Sequence, residues 1–298
     1  MRYNGSVSLP PSPPLPSPSP FDDLTAGQAF GPPGGDPLLT ELAEAALRAA
    51  QAAADLLAGA VGQPRRNVEV KSSATDMVSE VDRGSEQLVT GILAELRPDD
   101  GLLGEEGTSK PGTTGIRWVV DPLDGTTNFL FGIPQFAVSI AAELEERPVV
   151  GVVIDPSRRE TWAARLGGGA RCNGLPCRVA TGRSTLATAL VSTGFGYQAE
   201  RRAWQAGVAA TVIPRVRDLR RFGSAALDLC WVAGGRVDAY YEWGLSPWDL
   251  SAGRLICTEA GGQVDVLPSH TIVAATPELA GPLADLLVEA EIGRPLGG

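Results

Sequence analysis

The run Ile116-Arg117-Trp118-Val119-Val120 reads as a buried strand, and it leads without a break into Asp121-Pro122-Leu123-Asp124-Gly125-Thr126-Thr127-Asn128. Bulk of that kind belongs between apolar layers, so the residues that follow begin inside the molecule. Two carboxylates three residues apart in such a place repel each other and lose their water. Their pKa values rise unless a cation intervenes. A turn at Asp124-Gly125 accounts for the glycine but not for the charge. The rest of the chain offers no relief, because its formal net charge is -10.

Composition narrows which cation could serve. The single histidine, His270, stands in a turn before an apolar strand, which excludes His-rich metal sites and two-His catalysis. The four cysteines, Cys172, Cys177, Cys230 and Cys257, lack the spacing of a zinc site or a disulfide framework. They read as reduced thiols of a cytoplasmic protein. What remains is a hard, oxygen-loving ion: Mg²⁺, with Mn²⁺ as a possible substitute. The only lysines, Lys71 and Lys110, sit in no P-loop pattern, so Walker-type nucleotide binding finds no support. The acidic balance disfavours nucleic acid and anionic membrane partners, and no run of about 18 apolar residues is present to span a bilayer.

With 298 residues, 43% of them hydrophobic and 20% charged, the chain is long enough for two packed halves. Ten of its 24 prolines fall at or before Pro37, and residues 1–36 read as a disordered Pro-rich tail that cannot offset its ordering entropy. Helical spacing is expected from Leu38 to Val61 and from Ser79 to Leu96, with Ser79 and Asp82 resembling a capping pair. Residues 136–164 read as an antiparallel meander, and Gly167 to Gly174 as tight loops closing it. Beyond residue 181, strands near 188–192, 237–241, 264–266 and 271–274 alternate with helices near 199–211, 224–232, 249–260 and from Pro277. The order is that of a layered α/β protein with an N-terminal half at 37–181 and a C-terminal half at 182–298.

Carboxylates concentrate at four predicted element ends: Lys71 to Asp82 (KSSATDMVSEVD), Gly104-Glu105-Glu106-Gly107, DPLDGTTN at 121–128, and Trp248-Asp249. Singly, each has an ordinary explanation, with Asp82 as a first-turn acid, Asp249 as an N-cap and the glutamates as a solvated turn. Together they suit a shared cation better. Pro122 stiffens the turn so that Asp121 and Asp124 can face one point, and the Leu123 carbonyl is a further possible ligand. The Gly125 and Thr126 amides, near a helix start, can hold an anion against that cation. The Thr126 hydroxyl can orient a water whose proton Asp82 could accept. This pattern spells metal-assisted hydrolysis of a phosphate ester, with a metal-bound water attacking in line.

At this point the sequence resembles the inositol monophosphatase family of Mg²⁺-dependent, lithium-sensitive sugar phosphatases, over roughly residues 38–290. GEEG, DPLDGTTNF and WDLSAG match its signature blocks in order, as do the K-x4-D-x5-D stretch and GSAALDLCWVAGGRVDAYYEWG at 223–244. The resemblance implies an alternating α-β-α-β-α sandwich of mixed and antiparallel sheets, in a chain that is usually a homodimer. It implies that Glu105, Asp121 and the Leu123 carbonyl hold one metal and that Asp121, Asp124 and Asp249 hold a second, with a weaker third near Glu105. Thr126 and Asp82 would position the nucleophilic water. The Gly125 and Thr126 amides would bind phosphate, and Ala225 and Glu242 with Asp249 would meet substrate hydroxyls. Lys71 and Asp76 would lie on a loop over the site, while Glu106 is given no ligand role by the resemblance and would at most stand behind the ligands. The implied reaction converts myo-inositol 1-phosphate to inositol and phosphate. Histidinol phosphate and fructose 1,6-bisphosphate are alternative substrates, and a non-catalytic interaction protein on the same scaffold is the remaining alternative.

Overall fold

A computed structural model of the chain describes residues 24–32, 36–62, 69–70, 77–78, 80–182 and 185–292. Residues 1–23, Lys71, Asp76 and the expected cap Ser79 lie outside that set. Part of the segment expected to be disordered is ordered. Helix α1 (Ala26–Phe30) starts at a reciprocal capping box between Thr25 and Gln28, and it buries Ala29 and Phe30. A cap and one aromatic anchor outweigh the ordering cost locally, which a composition averaged over the proline-rich stretch conceals.

Helix α2 (Pro37–Ala60) begins where Asp36 accepts a hydrogen bond from the Leu38 amide at 2.9 Å, with proline at N1, where no amide is needed. Its buried face is seven alanines and three leucines, small enough to lie close on a sheet. After the short antiparallel pair β1 (Glu69–Val70) and β2 (Met77–Val78), helix α3 (Glu80–Leu96) packs beside α2.

The first sheet has eight strands: β3 (Gly101–Gly104), β4 (Ser109–Lys110), β5 (Ile116–Asp124), β6 (Ala137–Leu144), β7 (Arg147–Asp155), β8 (Glu160–Arg165), β9 (Ala170–Cys172) and β10 (Leu175–Pro176). Their spatial order is β10-β9-β8-β7-β6-β5-β3-β4, antiparallel except for the β3–β5 pair. The glycine-rich segment expected to be loops alone contains β9, which pairs with β8. Asn173 and Gly174, both at positive φ (48° and 76°), make the two-residue reversal into β10.

The second sheet has five strands: β11 (Leu190–Thr193), β12 (Asp218–Arg220), β13 (Ala239–Trp243), β14 (Gln263–Val266) and β15 (Thr271–Ala275), in the order β12-β11-β13-β15-β14. The strand β12 was not expected, because three residues are too few to carry a periodic signal; it forms a parallel edge on β11. Helices α5 (Ala199–Val212), α6 (Ala225–Ala233), α7 (Pro247–Glu259) and α8 (Pro277–Glu291) complete the half, and the short α4 (Thr126–Leu130) follows β5. Helices α2 and α3 cover the outer face of the first sheet, α6 and α7 fill the space between the sheets, and α5 and α8 cover the outer face of the second. The layers are α-β-α-β-α, as the resemblance implied. Among the described residues, no helix is long and apolar enough to cross a membrane.

Candidate active site

Strand β5 does not end before its carboxylates; it carries them. Against β6, Asp121 is opposite Ser139 and Asp124 is opposite Ala137, so β5 holds one extra residue between them. In a regular strand, residues three apart point to opposite faces. The bulge restores the phase and lets Asp121 and Asp124 face the same side. Pro122 sits inside the bulge, where no ladder hydrogen bond is lost. The feature is therefore a bulged strand end rather than the turn its sequence suggested. Gly125 follows at φ 94°, and a Cβ there would lie 2.9 Å from the Gln135 carbonyl, so only glycine fits.

Three carboxylates converge. Asp121, Asp124 and Asp249 each offer an oxygen within 4.8 Å of the other two, and no Lys, Arg or His forms an ion pair with them among the described residues. Burial pushes the Asp121 carboxyl well above the usual range, and the charges of Glu105, Asp124 and Asp249 push it further. Asp249 is raised for the same reasons. Asp124 is pushed up to about 6, because burial outweighs the hydrogen bonds it receives. Those bonds come from the Ser224 hydroxyl at 2.6 Å and the Ala226 amide at 2.8 Å, at the start of α6. Asp249 is not the N-cap of α7. Ser246 is the cap, and Asp249 completes its capping box by accepting from the Ser246 amide at 2.7 Å.

Glu105 follows β3, and its amide donates to the Val120 carbonyl at 3.1 Å, which ties it beside β5. Behind it lies a residue that the sequence reading missed. Glu86 of α3 is buried, and its carboxylate accepts from the Glu106 amide (2.7 Å), the Thr108 amide (3.0 Å) and the Thr108 hydroxyl (2.6 Å). Gly104 leaves the room that this carboxylate occupies; a Cβ there would collide with it. The Glu106 amide, through its bond to Glu86, takes part in that support.

The Thr126 hydroxyl lies 3.0 Å from both Asp82 Oδ1 and the Leu123 carbonyl, and Asp82 is 1% exposed. Asp121 also accepts from the Leu123 amide at 3.0 Å, so the Asp121–Thr126 stretch is cross-tied. Ser85 donates to the Pro122 carbonyl at 2.9 Å and fixes α3 to the bulge. Asn128 donates to the Gln135 and Phe222 carbonyls, each at 2.8 Å, which draws the segment before α6 against β5. Glu242 accepts from the Tyr240 hydroxyl at 2.6 Å, and desolvation pushes its carboxyl up to about 7.

These groups open into one cleft of about 350 Å³, which brings together Glu105, Asp121, Leu123, Asp124, Gly125, Thr126, Ala225, Glu242 and Asp249. Every residue expected to hold metal, phosphate or substrate lines it, as does Thr126, and Asp82 stands one hydrogen bond behind Thr126. The cleft also takes in Arg201, Arg221 and the 194–198 loop, which no spacing rule connects to the acidic blocks. Ser224, where the sequence places the start of a helix, is the cap of α6 and accepts from the Leu227 amide; its bond to Asp124 was not legible. An all-oxygen set of desolvated carboxylates without an ion pair fits a hard divalent cation.

Residues 38–288 match the inositol monophosphatase family. The inositol-1-monophosphatase SuhB of Mycobacterium tuberculosis H37Rv is 46% identical over 230 residues, covering 72% of this chain and 79% of that protein. The Nus factor SuhB of Escherichia coli K12 is 39% identical over 239 residues, covering 79% of this chain and 89% of that protein. The crystal structure of extragenic suppressor protein suhB from Bartonella henselae aligns with a TM-score of 0.77 at 37% identity, covering 82% of this chain and 96% of that one.

Proposed function

The chain belongs to the inositol monophosphatase family, and from that premise we propose that it is a Mg²⁺-dependent phosphomonoesterase acting on a polyol phosphate, first of all myo-inositol 1-phosphate. The observation that carries this reading is the convergence of Asp121, Asp124 and Asp249 within 4.8 Å, with raised pKa values and no ion pair to Lys, Arg or His among the described residues. Glu105, Asp121 and the Leu123 carbonyl would hold one ion, and Asp121, Asp124 and Asp249 a second. Bound ions would supply the positive charge that a phosphate needs and would acidify a water.

The chain's own groups do the rest. The Thr126 hydroxyl, set between Asp82 and the Leu123 carbonyl, orients the attacking water, and Asp82 takes its proton. The Gly125 and Thr126 amides point a positive edge at the phosphate. Ala225, Glu242 and Asp249 meet the hydroxyls of the polyol, and Tyr240 fixes the Glu242 carboxylate from behind. A homodimer belongs to the same reading, and light scattering on the purified chain checks it.

The test is phosphate release from myo-inositol 1-phosphate, histidinol phosphate and fructose 1,6-bisphosphate with and without Mg²⁺. Mg²⁺-dependent turnover is expected. Preference for histidinol phosphate would remove the polyol assignment. Failure on every substrate would favour a binding role, the second reading, which the name Nus factor of the Escherichia coli relative motivates.

A further inference from the structure

One stretch of the cleft wall, Gly194 to Gln198, joins β11 to α5, and all five of its residues line the cleft together with Glu242. We infer that Gln205 of α5 is a positioning residue for substrate recognition: it fixes this loop from behind, and through Gly194 the loop fixes the Glu242 carboxylate that meets the polyol. The inference rests on the phosphatase reading above and deepens it.

Gln205 is 5% exposed and sits in the second turn of α5. Both ends of its side chain are spent on the one loop. Its Oε1 accepts from the Gly196 amide at 2.8 Å, and its Nε2 donates to the Gly194 carbonyl at 3.5 Å. A buried amide needs partners for both its donor and its acceptor, and here the loop supplies them. Three residues earlier, on the same side of the helix, Arg202 donates to the Gly196 and Tyr197 carbonyls at 3.4 Å and 2.5 Å. The helix is itself anchored, with Val208 and Val212 buried in the outer layer of the second sheet. The loop is therefore referenced to a packed element.

The consequence for the site lies at Gly194. A Cβ there would overlap the Glu242 carboxylate, which occupies the space that any other residue type would fill. The φ of Gly194 is not in the left-handed region, so glycine is required by space rather than by conformation. Tyr240 holds one oxygen of the carboxylate at 2.6 Å, and the Gly194 backbone limits where the group can turn about that bond. Loop stability alone would explain the two bonds to Gln205. It would not explain why the loop is drawn in until Gly194 has no room for a methyl group against a substrate-binding carboxylate.

Steady-state kinetics with Mg²⁺ test this on myo-inositol 1-phosphate and on para-nitrophenyl phosphate, a monoester that offers Glu242 no hydroxyl, in the wild type, Q205L, Q205E and G194A. Q205L is expected to raise KM for the inositol phosphate roughly tenfold with kcat near wild type, the signature of a lost hydrogen bond between substrate and a charged group. Both constants for the aryl ester should stay unchanged. Q205E keeps the acceptor for the Gly196 amide and is expected to stay close to wild type. G194A reaches Glu242 without touching Gln205; it should reproduce the Q205L pattern, and it carries the test if Q205L does not fold. Equal losses on both esters, or an unchanged KM for the inositol phosphate, would overturn the inference and leave the phosphatase reading standing. If the wild type does not turn over myo-inositol 1-phosphate, that reading falls. Calorimetric titration of the same compound in Mg²⁺ then decides: weaker binding by Q205L and G194A than by the wild type supports the positioning role, and equal or absent binding overturns it.

Discussion

Two groups of acids set into this molecule, all buried except the half-buried Asp249, are built on opposite plans. Asp100 is 1% exposed and fully served by the protein: Arg97 Nε at 3.0 Å, the Thr114 hydroxyl at 2.6 Å and the Trp118 indole at 3.0 Å. Asp155 likewise takes Arg158 at 2.7 Å and two backbone amides. Asp121, Asp124 and Asp249 receive a few hydrogen bonds and, among the described residues, no ion pair, and their carboxyls are driven upward together. The first plan fastens a strand edge. The second leaves a cluster of negative charge with no counter-charge among the described residues, and a site that binds is expected to look like that.

The contrast can be broken by substitution. Asp124→Asn removes a ligand charge while keeping an acceptor for Ser224, so turnover with Mg²⁺ is expected to fall on the order of 10³-fold with stability held or raised. Full activity in that variant, read by phosphate release, would place the metal elsewhere. Asp100→Ala should do the reverse: a loss of about 3 kcal/mol in denaturant unfolding, because Arg97 and Trp118 lose a buried partner. Its kcat should stay close to wild type. Glu86→Gln weakens the tether behind Glu105, and about a tenfold drop in Mg²⁺ affinity is expected by calorimetry. An unchanged affinity would mean that the Glu105 loop holds its place without the Glu86 charge.

The smallest expected effect concerns pH. Asp124 is raised from its ordinary range to about 6 in the folded chain, and Asp121 and Asp249 are raised with it. A raised carboxyl favours the fold most below the unfolded pKa, near 4, and that contribution is lost as pH climbs through the folded value. Metal-free protein should therefore melt a few degrees higher at pH 5.5 than at pH 7.5, with Mg²⁺ closing the gap. A metal-free melting curve flat across that range would show that the cluster is not strained.

Much of this was legible in the sequence. The helices α2 and α3, the meander and the alternating second half follow from periodicity, and the acidic blocks mark nearly every carboxylate of the site. The bulge was not legible, because a one-residue slip depends on the register of β6 against β5 and leaves no mark on the local pattern. It is the reason two aspartates three apart share a face, which the sequence attributes to a turn. Glu86 escaped notice because a helix acid with a long-range backbone partner looks like any surface glutamate. Arg201 and Arg221 escaped it because their nearness to the carboxylates is made by the packing of the second sheet's loops over the first.

The central claim, that Asp121, Asp124 and Asp249 hold divalent cations, is tested most directly by anomalous difference density from crystals soaked in Mn²⁺. The account expects the strongest peaks among those three carboxylates and beside Glu105, with the peak at Asp124 lost in Asp124→Asn crystals. Density only at surface acids, with the cluster empty, would contradict it.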